Sequence, residues 1–159
     1  MTMPRRVVLL TGLALASSVA AAQTPSPAIT VEEPWMRAAL QGGTGGAFLT
    51  LRNAGAQPDR LVGASSPAAR AVEIHATTRQ GDIMRMQPVQ AVEIPAGGSV
   101  ALQPGGLHIM LVGLGKAAQP GTSLPLTLVF EQAGPVAVQV PVRAAGAQGP
   151  SGAGGHAHH

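Results

Sequence analysis

Through positions 29–143 the chain reverses too often to build long helices. Short apolar segments are cut at close intervals by Gly, Pro, Asn and Asp, and no long stretch carries a helical period. The clusters Gln57-Pro58-Asp59, Gln80-Gly81-Asp82, Pro95-Ala96-Gly97-Gly98 and Pro104-Gly105-Gly106 each supply a fixed or positive φ of the kind tight reversals need. Strands are therefore expected at residues 29–33, 46–53, 60–65, 71–77, 82–86, 91–94, 99–103, 107–113, 124–131 and 136–142. Eight to ten short strands in one body predict an all-β fold, a Greek-key β-sandwich or barrel, with at most a turn or two of helix.

The flanks read differently. Arg5 and Arg6 precede an apolar run over residues 7–16, and Ala20-Ala21-Ala22 closes it with small side chains, so residues 1–22 are expected to be a signal peptide cleaved near Ala22. The arginine pair also fits a twin-arginine signal. Thr11, Gly12, Ser17 and Ser18 interrupt the run, which is shorter than the roughly 20 apolar residues that span a bilayer. No stable membrane insertion is expected after cleavage, and the mature chain is expected in the periplasm. A lipid anchor on a cysteine is not expected, because the sequence has none. At the other end, residues 144–159 are almost entirely Ala, Gly, Pro, Ser, Gln and His, a composition that cannot order itself by apolar burial and is expected to be disordered.

Composition removes several function classes. Trp35, Phe48 and Phe130 are the only aromatic residues, too few for base-stacking platforms or aromatic cages. Loss of the leader leaves eight positive residues against seven negative, scattered along the chain, so no nucleic acid partner is expected. The absence of cysteine excludes disulfides, Cys-ligated zinc, iron–sulfur clusters, a thiolate nucleophile and the blue-copper ligand set. The body shows no Ser/His/Asp spacing in a recognisable context, and its two aspartates, Asp59 and Asp82, sit in turn signals, so an enzyme is not expected.

The metal-capable side chains are few and patterned. The body has two histidines, His75 and His108, and four methionines, Met36, Met84, Met86 and Met110. On a strand, residues two apart share a face, so His108 and Met110 project together while Ile109 points the other way, and Met84 and Met86 likewise share a face. A single strand methionine is ordinarily core filler, and Met84 and Met86 are near-equivalent candidates on this ground. Taken together, imidazole and thioether donors suit Cu(I), a soft ion that tolerates low coordination numbers, whereas Mg, Ca and Mn want oxygen. Thioethers also stay unprotonated in acid and do not form disulfides in an oxidising compartment. Glu73 shares a strand face with His75; a solvated edge carboxylate is its ordinary reading, and an acceptor orienting the ring is the alternative.

The joint spacing is more specific than any one residue. Ten residues separate His75 from Met86, twenty-one separate Met86 from His108, and Met110 follows two positions later. This pattern resembles the signature of the periplasmic copper chaperone family PCuAC. The segments Pro34-Trp35-Met36-Arg37-Ala38, Gly46-Ala47-Phe48-Leu49-Thr50-Leu51-Arg52-Asn53, Val72-Glu73-Ile74-His75, Met84-Arg85-Met86, Val92-Glu93-Ile94-Pro95-Ala96-Gly97-Gly98 and Leu102-Gln103-Pro104-Gly105-Gly106-Leu107-His108-Ile109-Met110-Leu111 are similar to that family as well. The resemblance covers residues 29–142. It implies a cupredoxin-like sandwich holding Cu(I) through His75, Met86, His108 and Met110; Met84, on the same face as Met86, is the alternative or additional donor that the spacing disfavours. It also implies delivery of copper to cytochrome c oxidase, above all to its CuA-bearing subunit, alongside a Sco-type protein.

A shallow site at the sandwich edge would release copper by stepwise exchange, with incoming donors displacing the weak thioethers first. Neutral imidazole is required, so affinity should fall below about pH 6. His156, His158 and His159 on the tail offer a further metal site suited to Cu(II). A periplasmic storage or resistance protein would use similar donors; loss of the gene would then lower copper tolerance, whereas loss of a chaperone would lower oxidase activity.

Overall fold

A computed structural model describes residues 28–150. The signal-peptide expectation for residues 1–22 and the tail histidines His156, His158 and His159 lie outside the described residues. Ten strands follow in order: β1 (Ile29–Arg37), β2 (Thr44–Asn53), β3 (Asp59–Ser65), β4 (Ala69–Gln80), β5 (Ile83–Pro88), β6 (Val92–Ile94), β7 (Ser99–Leu102), β8 (Leu107–Leu114), β9 (Ser123–Phe130) and β10 (Gly134–Arg143). Each expected strand is present, and the described residues contain no helix.

The strands hydrogen-bond in the order β5-β4-β8-β2-β1-β10-β9-β3-β6, with β7 also pairing with β2. Every pairing is antiparallel except β1 with β10, a short parallel contact through Met36↔Val142 and Arg37↔Arg143. That contact joins two layers, β5-β4-β8-β2-β1 with β7 and β10-β9-β3-β6. Their inward faces meet in one core, to which the first contributes Leu49, Leu51, Ile74, Ile109 and Leu111 and the second Leu61, Leu126, Leu128, Phe130 and Val140. The alternation of apolar positions along each strand sends these residues inward, and burying them is the main favourable term for a chain without disulfides.

Two strand ends differ from expectation in ways that shape the outer face. The first strand is expected to end at residue 33, and the next residue, Pro34, cannot donate to a ladder. Instead the register shifts between Glu32 and Trp35, with Glu33 at φ 49°, and pairing resumes at Trp35↔Phe48. This irregularity carries β1 on to Arg37 and lays Trp35 beside Phe48, their ring centroids 4.7 Å apart. The β4–β5 hairpin is also longer than the turn signal alone suggested. Gly81 takes φ 63°, and pairing starts at once with Gln80↔Ile83. That two-residue reversal suits glycine and matches the strand twist, so the ladder zips up to the turn.

Candidate metal centre

Three strands, β4, β5 and β8, present the donors on one face. In the β4–β8 ladder His75 lies directly opposite His108, and Glu73 opposite Met110; in the β4–β5 ladder Met86 lies opposite Thr77. Directly opposed residues of an antiparallel pair project to the same side. His75, Met86, His108 and Met110 therefore share the outer face of the first layer, away from Ile74 and Ile109 in the core. On β2, Gly46 pairs with Met110, and Phe48 brings its ring centroid to 6.5 Å from that of His108. The two imidazole centroids are 5.9 Å apart. The donors thus gather on the outward sheet surface, close to the open edge formed by β5.

Met86, His108 and Met110 line one cavity of about 320 Å³ with Thr77, Phe48 and Arg37, and His75 borders His108 on the neighbouring strand. Met84 is opposite Arg79, one pleat further toward the hairpin tip, and does not line this cavity. Both β5 methionines are exposed, Met84 at 57% and Met86 at 56%, whereas His108 is buried at 5%. Met36, the remaining methionine of the body, is fully buried in the core. The face therefore grades from an accessible sulfur at the sheet edge to an enclosed imidazole near its centre.

The turn before β8 sets His108. Gly105 takes φ 84°, a left-handed conformation that glycine adopts without a Cβ penalty. The carbonyl of Gly106 that follows accepts the Thr77 N–H at 3.0 Å and lies 3.0 Å from His108 Nδ1. A carbonyl only accepts, so in the neutral ring the proton sits on Nδ1 and the Nε2 lone pair is free. Nε2 is buried without a hydrogen-bond partner, and so is Nδ1 of His75. An unpaired buried polar atom costs about 1–3 kcal/mol. Two of them on adjoining strands beside two thioethers suit a soft ion that accepts their lone pairs. Among the described residues no three His, Cys, Asp or Glu side chains form a metal-holding group, and Met86 and Met110 add thioether sulfur to the donors beside the cavity.

Glu73 is not a solvated edge carboxylate alone. Its Oε2 lies 2.7 Å from His75 Nε2, although half of its side chain remains exposed. In the sequence Glu73 reads as a solvated carboxylate with ring orientation as the alternative, whereas Arg37 is not singled out as a site residue. Its guanidinium stands 5.5 Å from the Phe48 centroid and 6.0 Å from that of Trp35, within cation–π range. Their common signal was alternation: Gly46 and Phe48 occupy the outward positions of β2, between core residues Ala47 and Leu49.

The expectation of disorder from residue 144 onward is corrected for residues 144–150. Arg37 Nε donates to the Ala147 carbonyl at 2.8 Å and Nη2 to Gln148 Oε1 at 3.2 Å. Ala145 reaches the donor cavity, while Gln148, Gly149 and Pro150 line a groove with Trp35 and Pro104. Composition missed this strap because the anchor is a backbone carbonyl, which any residue supplies, and the apolar surface it covers belongs to β1. Removing residues 144–159 is expected to shift the emission of Trp35, the sole tryptophan, to the red and to cost roughly 1–3 kcal/mol through the lost hydrogen bonds to Arg37. Fluorescence spectra and urea unfolding of the truncated chain check both; an unchanged spectrum would show that Trp35 owes its burial to something else.

Comparison with known proteins places this geometry among relatives. The LpqE-like lipoprotein family matches residues 29–142. A protein of Leifsonia xyli subsp. xyli named as a lipoprotein, Lxx21020, is 37% identical over 128 residues, covering 78% of this chain and 76% of its own. Among solved structures, the copper-bound PCuAC domain from PmoF2 is 33% identical with a TM-score of 0.63, over 74% of this chain and 93% of that domain. The Cu(I) form of DR1885 from Deinococcus radiodurans is 30% identical with a TM-score of 0.55, over 80% and 85% of the two chains.

Proposed function

The chain belongs to the LpqE-like family and shares the fold of PCuAC domains, and from that premise we propose that it is a periplasmic copper carrier. It takes up Cu(I) through His75, Met86, His108 and Met110 and hands it to a copper enzyme. The observation that carries this reading is the pair of buried, partnerless imidazole nitrogens beside accessible thioether sulfur. Copper is the cargo of such a protein, and the copper-bound PmoF2 and Cu(I) DR1885 structures support the choice of ion. The recipient in this proposal is the CuA-bearing subunit of cytochrome c oxidase, with a Sco-type protein acting alongside. Export rests on the leader-like residues 1–22 and on the lipoprotein names of the relatives, although this sequence contains no cysteine.

Transfer follows from the gradient of exposure. Met86 on edge strand β5 is the first donor an incoming ligand reaches, and a neutral thioether is the weaker partner to displace. His108, enclosed near the sheet centre, lets go last. No bond in the cargo or the protein is made or broken beyond the coordination sphere, so the role is carriage and not catalysis. Beyond Pro150, His156, His158 and His159 form a second site for Cu(II), with the strap keeping the root of that tail beside Trp35 and Pro104.

The discriminating experiment compares two nearly isosteric variants in an anaerobic Cu(I) competition titration. Met86→Leu is expected to weaken Cu(I) binding about tenfold or more, while Met84→Leu leaves it within about threefold, because the swap conserves volume and, of these two residues, only Met86 lines the cavity. Equal affinities for wild type and Met86→Leu would remove Met86 from the ligand set; the opposite ranking would put Met84 in its place.

A further inference from the structure

Glu73 is the only carboxylate on β5, β4, β8 or β2, the strands that carry or flank the donors. It pairs across the ladder with Met110 and sits two residues before His75 on the same face. The groups that face it are the His75 ring, the Met110 side chain and, beyond them, His108. The nearest cationic side chain lining the donor cavity, Arg37, is engaged by the strap and the two aromatic rings.

We infer that Glu73 is a positioning residue that selects the tautomer of His75 and so makes Nδ1 the coordinating nitrogen. The chemistry is that of the contact. An ionised carboxylate has no proton to give, so at 2.7 Å the shared hydrogen belongs to Nε2. In the neutral ring this leaves the lone pair on Nδ1, the buried atom for which the fold supplies no partner. His108 is held in the opposite sense, with Nδ1 tied to the Gly106 carbonyl and Nε2 free. The two rings thus offer unlike nitrogens, one near its backbone and one at the tip of its ring. This mixed pair lets two histidines that face each other directly across a ladder address one point without sharing the same reach.

This inference rests on the copper reading only for its purpose, and the test separates the two. Histidine side-chain ¹⁵N shifts of the metal-free whole chain report the tautomer of His75 directly. Wild type and Glu73→Gln are expected to show protonated Nε2, since the glutamine carbonyl still accepts, whereas Glu73→Leu shows a mixture of tautomers. Cu(I) affinity, read by competition with a chromophoric chelator, is expected to fall about tenfold or more in Glu73→Leu and to stay within about threefold of wild type in Glu73→Gln. An unchanged His75 tautomer in Glu73→Leu would overturn the inference and leave the copper reading standing. A Glu73→Gln variant that keeps the tautomer but loses as much affinity as Glu73→Leu would also overturn it, assigning the effect to charge. Wild type with the expected tautomer but no Cu(I) binding would instead overturn the copper reading while leaving the hold of Glu73 on the ring intact.

Discussion

Replacing His108 by alanine is expected to lower Cu(I) affinity by about a hundredfold or more while the sandwich stays folded. Outer partners of metal ligands are worth about 10- to 100-fold in affinity, and a donor itself should exceed that range. His108 is also the most enclosed of the four candidate donors, with its Nε2 facing no protein partner, so nothing nearby can replace it. The fold should tolerate the loss because the Thr77 N–H to Gly106 carbonyl bond, which fastens the turn to β4, does not involve the ring. An anaerobic Cu(I) titration paired with a thermal melt measures both effects. Wild-type affinity in a folded His108→Ala protein would refute the proposed centre outright.

One residue further along β8, the same substitution should have the opposite signature. Ile109 is fully buried in the core cluster, on the inward face of the strand. Ile109→Ala removes that packing and leaves a void in the layer between the sheets, which costs about 2–5 kcal/mol for a buried aliphatic side chain. The expected result is a Tm lower by roughly 10 °C or more. The fraction that remains folded should bind Cu(I) within a few-fold of wild type, because the donors project from the other side. If Ile109→Ala instead weakened copper binding as much as His108→Ala at a temperature where both are folded, the two faces would not be separable in the way the ladder describes.

The strand pattern was legible because β-structure announces itself locally. Alternation at His108, Ile109 and Met110 and glycine or proline at each reversal are properties of a few neighbouring residues, and all ten strands stand within a few residues of their expected ends. Placement of the donors on one outward face was partly legible too, since residues two apart on a strand share a side. Which strands lie adjacent was not, because pairing such as β4 with β8 joins segments far apart in sequence, and only the register shows that His75 meets His108 head on. That Glu73 shares a face with His75 was legible from alternation, but the turn of its carboxylate onto the ring depends on a side-chain torsion that no periodicity encodes. The course of residues 144–150 depends on Arg37, more than a hundred positions earlier, reaching a main-chain oxygen.

The position of β5 at the margin of its layer has a consequence for unloading. A strand with a neighbour on one side only leaves Met86 approachable laterally, from beyond the sheet, and an acceptor can begin to take the ion while the sandwich stays shut. Departure then needs no breathing of the interior, and its speed should follow the concentration of the receiving molecule, not the rate at which the fold opens.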